Sequence, residues 1–97
     1  MKNENAVHDA TFAADSAVTA AQAAFLLLGN GAEATRAYAE AARQLCLAAA
    51  RACEATADQL DPDDLVEGYP LHRLVAGRAA EAQRYADRLA DRLAEEA

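Results

Sequence analysis

The chain has 97 residues, 29 of them alanine, with eleven leucines, no isoleucine and no tryptophan. That length holds one domain, 1–97, and strand-formers are too few for a sandwich, barrel or doubly wound sheet, so the expected fold class is all-α. Sixteen acids against nine bases leave a net charge of −7, which speaks against nucleic acid and an anionic membrane surface as partners.

The first helix is expected over 9–28, with Asp9 as N-cap. Val7, Thr11, Ala14, Val18, Ala21, Phe25 and Leu28 follow a four-three spacing that gathers them on one stripe. Gly29 is placed to stop it, and Asn30 can cap the next helix, with Glu33 answering three residues on. So short a connection predicts an antiparallel helical hairpin.

The second helix is expected over 31–60. At about 100° per residue, Glu33, Arg36, Glu40, Arg43, Arg51, Glu54 and Asp58 share one narrow face. Tyr38, Ala41, Ala42, Leu45, Ala49, Ala52, Cys53, Thr56 and Leu60 lie opposite, and Leu47 falls on the charged side. Asp61-Pro62-Asp63-Asp64 predicts a short helical turn inside a connector, 61–69. The third helix is expected over 70–95. Leu71, Leu74, Val75, Ala82, Tyr85, Ala86, Leu89 and Leu93 form its stripe, and charges three or four apart fill its other faces.

Three helices can each bury one stripe, yet apolar residues remain. Phe12, Leu26 and Leu27 lie outside the first helix's stripe, and Phe25-Leu26-Leu27-Leu28 would leave an exposed apolar end. Leu47 adds a further surface position. These residues predict an interface, with the three-helix bundle dimerising through alanine-rich faces as two hairpins around a four-helix core.

Arg78 interrupts the third stripe, where burial is costly without a partner; it is expected to snorkel to the rim, pair with an acid or hold an anion. The acids Asp58, Asp61, Asp63, Asp64 and Glu67 form the densest charge run. They lack the spacing of a calcium loop and suit caps, a solvated turn or a docking patch for a basic partner.

Cys46 and Cys53 stand seven apart, about 10 Å along one helix at about 1.5 Å per residue, too far for a disulfide. Reduced thiols and the absence of an apolar run behind Lys2 predict a cytoplasmic protein. The uncharged stretch from Ser16 to Ala32 is short for a membrane span. Eight arginines against one lysine, with abundant alanine, fit a GC-rich bacterial coding sequence.

The run Cys46-Leu47-Ala48-Ala49-Ala50-Arg51-Ala52-Cys53-Glu54 resembles the cysteine-bearing helices of four-helix copper-storage proteins, with Ala50 where their middle cysteine stands. That resemblance implies a soft-metal site at Cys46 and Cys53, although two thiols do not make the rows such storage uses. Secreted helical-hairpin partners of export systems carry Trp-x-Gly at their turn, and Leu28-Gly29-Asn30-Gly31 has no tryptophan.

Di-iron chemistry needs Glu-x-x-His, which is absent, and His8 and His72 lack zinc spacing. One serine and no strand-turn-helix elbow argue against nucleophilic catalysis. The expected protein is therefore not an enzyme and has no cofactor. It is a small acidic helical interaction module, an adaptor, assembly partner or inhibitor, which binds itself and another protein. A metal- or ligand-binding bundle using Cys46 and Cys53 is the first alternative. A phage-type inhibitor imitating nucleic-acid charge is the second, weakened by arginines between its acids.

Overall fold

Small side chains let helices approach closely, and this molecule is built on that. Twelve of the twenty buried residues are alanine, and no buried residue is polar or charged among the described residues. The computed structural model describes residues 4–29 and 32–95. Its helices are α1 (Glu4–Leu27), α2 (Glu33–Gln59) and α3 (Leu71–Glu95), and it measures 48 × 20 × 19 Å.

Polar ties give the directions. Cys46 and Cys53 of α2 donate to the carbonyls of Ala17 and Ala10 of α1, so numbers rise on one helix as they fall on the other. Arg78 of α3 pairs with Asp15, and Gln22 donates to the Tyr85 hydroxyl, so α1 and α3 run the same way. The result is an up-down-up three-helix bundle, with α3 packed more extensively on α2 than on α1.

The start of α1 differs from the expectation. Asp9 is not an N-cap; it lies inside the helix, which already runs at Glu4. Val7 packs against the core, and the Thr11 hydroxyl returns to the Val7 carbonyl at 2.8 Å, so packing anchors this first turn. At the other end Gly29 takes φ +113°, a conformation that favours glycine and lets the chain turn away. The capping role expected of Asn30 lies outside the described residues. Ala32 is the N-cap of α2 and makes no side-chain cap bond.

The connector also differs. Asp61 through Asp64 form a turn closed by the Asp64 N–H on the Asp61 carbonyl at 3.0 Å, not a helix. Two residues of β1 (Leu65–Val66) then pair antiparallel with β2 (Tyr69–Pro70), in the register Leu65 with Pro70 and Val66 with Tyr69. Glu67 at φ 51° and Gly68 at φ 82° make the tight turn between them, two consecutive left-handed residues as a type I′ hairpin requires. Pro70 has no N–H to give, and the ladder resumes at Leu71, whose N–H donates to the Asp64 carbonyl at 2.9 Å. So α3 begins at Leu71.

Candidate interaction face

Large and small residues of α2 part company. The expected inward face included Tyr38, Leu45 and Ala52, but all three are exposed. The face that meets α1 and α3 is Ala39, Ala42, Cys46, Ala49, Ala50 and Cys53. Packing at short interaxial distance selects small side chains, and this turns the larger Tyr38 and Leu45 aside. Leu45 is left 55% exposed.

That rotation creates a groove of about 430–490 Å³ class size, the larger of two hollows, measuring about 490 Å³. It runs between α1 and α2 on the side away from α3. Phe12 and Leu45 stand proud of it, while Ala13, Ser16, Ala48 and Ala52 floor it. Phe12 is 66% exposed and stacks on the His8 ring at a centroid distance of 6.4 Å. No charged residue lines this groove. The smaller hollow lies beside Leu93 and carries Glu33, Arg36 and Glu40.

The residues expected at an interface divide. Phe12, Leu26 and Leu27 are exposed, Leu26 to 88%. Leu28 is not part of a surface patch: it is buried in the core, its N–H bonded to the Ala24 carbonyl at 2.9 Å. Phe25 is half-buried and meets the Tyr85 ring at 6.2 Å. Leu47 is half-buried against the core rather than standing on the charged surface. An arc of α2 wider than one stripe is covered, because both α1 and α3 rest on it.

Arg78 is exposed rather than buried in its stripe, and its guanidinium is paired with the Asp15 carboxylate. Both side chains are about half exposed, at 47% and 53%. The neighbouring Arg88 guanidinium sits 5.6 Å over the Tyr85 ring. On the charged side of α2, Arg43 reaches Glu40 at 2.6 Å, and this bond, with one from Gln44, holds the Glu40 carboxyl below its usual range.

Cys46 and Cys53 are both fully buried, and their thiols donate to α1 carbonyls at 3.4 and 3.3 Å. Burial pushes both thiols above their ordinary range. At Cys53 the Arg78 guanidinium pulls back, and the Asp15 carboxylate adds to the rise. A neutral S–H already engaged by a carbonyl is a poor soft-metal ligand, since metals take the thiolate. Among the described residues, no group of three or more His, Cys, Asp or Glu converges as a metal cage.

The acidic residues gather at the other end. Asp58 closes α2, Asp61 bonds the Asp63 N–H through its own carboxylate at 2.9 Å, and Asp64 and Glu67 flank the hairpin. The hairpin also exposes Leu65, Val66 and Tyr69, with Leu74 exposed on α3 nearby in sequence. Reading the acids as one solvated turn missed those apolar residues.

By length and composition α1 is also apolar enough to cross a membrane, and 33% of its most apolar stretch is buried in the bundle. No family model matches the chain, and no curated protein or solved structure matches it either.

Proposed function

We propose that this chain is a small, non-catalytic helical interaction module that acts in the cytoplasm by docking helices on the open face of α1 and α2. One observation carries the reading: an uncharged groove with large apolar residues above and small ones below, left uncovered by α3. Such a relief suits a helix laid lengthwise, whose side chains enter between Phe12 and Leu45. The groove presents no nucleophile–base pair, and its one hydroxyl, Ser16, has alanines and Phe12 around it.

An exposed apolar surface of this kind favours protein partners over nucleic acid, for which the chain's net −7 is unfavourable. The test is affinity capture from the native host with the wild-type chain and a Phe12→Ser/Leu45→Lys variant of equal helicity. Loss of the same captured protein from the variant supports the reading. Identical capture by both chains sinks it.

A further inference from the structure

We infer that the helix pair seated on this groove is the groove of a second copy of the chain, related by a two-fold axis. Two α1–α2 hairpins then close into a four-helix layer, with one α3 on each outer side. This rests on reading the face as an interaction surface and goes further by naming what covers it.

Charge is the first argument. Each copy carries −7, so two copies repel unless their acids stay outside the contact. At helical spacing, the outer stripe of α1 from Phe12 to Leu27 and that of α2 through Tyr38, Leu45 and Ala52 hold no charged residue. The acids and arginines of α2, from Glu33 to Asp58, lie on another side. A partner recruited by charge finds nothing to pair with here; a second copy brings an equally uncharged face.

Shape is the second argument. A two-fold contact must be self-complementary, since the same patch serves on both sides. This patch holds both halves of the match: Phe12 and Leu45 project, and Ala13, Ser16, Ala48 and Ala52 recede. Area is the third. A 24-residue helix is about 36 Å long. With helices about 9 Å apart, a two-helix face is about 18 Å wide. The face offers about 650 Å² per copy, near the roughly 800 Å² per partner of a stable specific contact.

The test is light scattering coupled to size exclusion across a dilution series, on the wild-type chain and on Ala48→Glu. The wild type is expected to plateau at twice 10.2 kDa. Ala48→Glu, an exposed helix position, is expected to keep its helicity by circular dichroism and to fall to the mass of one chain. Leu45→Lys gives the same check if Ala48→Glu loses helicity. A wild-type mass that stays at 10.2 kDa overturns the inference. So does a mass that climbs past two chains, or a dimer indifferent to both substitutions. If the wild type is a monomer, host capture separates the two claims. A partner lost with Phe12→Ser/Leu45→Lys leaves the interaction face standing with another occupant, and unchanged capture removes both.

Discussion

The Cys53 thiol of α2 and the Ala10 carbonyl of α1 meet at 3.3 Å, buried on both sides. Cys46 repeats the arrangement on Ala17. The two thiols join helices as weak donors, and their chemistry follows from their burial.

Burial raises both thiol pKa values, so stability depends on pH in a definite direction. Above about pH 8.5 the unfolded chain loses its thiol protons while the folded chain keeps them. The folded state then binds more protons, and unfolding free energy falls as pH rises. The thiol contribution is therefore full below the ordinary thiol range and declines as pH climbs through it toward the raised folded-state values. Urea midpoints measured from neutral to alkaline pH should show this decline, and a Cys46→Ala/Cys53→Ala chain should show less of it. A thiol reagent should label the native protein slowly and the unfolded protein fast.

Arg78→Leu should change stability little. The pair with Asp15 is half exposed on both sides, and such pairs contribute at most about 1 kcal/mol. A double-mutant cycle with Asp15→Asn measures the coupling directly. A coupling well above that size would mean that the pair is more shielded from water than its exposure indicates.

Leu47 and Leu45 sit two residues apart on α2 and should behave oppositely. Leu47→Ala removes half-buried packing and should cost about 1–2 kcal/mol, below the range for full burial, with no effect on association. Leu45→Ala should leave the unfolding midpoint nearly unchanged and weaken association. Chemical denaturation and light scattering on both variants check this pair.

The hairpin topology and the three helices were legible because Gly29, Pro62, Gly68 and Pro70 interrupt long helix-forming runs. The rotation of α2 was not. Where most positions are alanine, a helix has little amphipathic contrast, and Tyr38 and Leu45 draw the expected inward face toward themselves. Close packing then chose Ala39, Ala42 and Cys46 instead. Phe12 was found because it lies plainly off the α1 stripe. Ala48 and Ala52 were not, since an alanine lining a groove and an alanine in a core read alike. The hairpin at Leu65–Pro70 escaped because two-residue strands carry no period to detect.

The core can be probed from both ends of the size scale. Leu89 is fully buried, the largest such side chain among the described residues, and Leu89→Ala should cost about 3 kcal/mol. Gly77 lies within α3, and a β-carbon there would meet nothing within 4 Å. Gly77→Ala should therefore raise stability by about 0.5–1 kcal/mol. Thermal and urea unfolding of the two variants should move in opposite directions.

The interhelical ties recur every two turns. Cys46 and Cys53 are seven residues apart, as are their acceptors Ala17 and Ala10. Asp15 and Gln22 repeat that interval opposite Arg78 and Tyr85. A helix displaced by one heptad would still set Cys46 against the Ala10 carbonyl, or Arg78 against Gln22, over alanines that oppose sliding only weakly. The ties work like the marks of a vernier, which fix position only to the nearest repeat. The turn at Gly29 and the hairpin before α3 act as end stops, and together they select one alignment from the few that the marks allow.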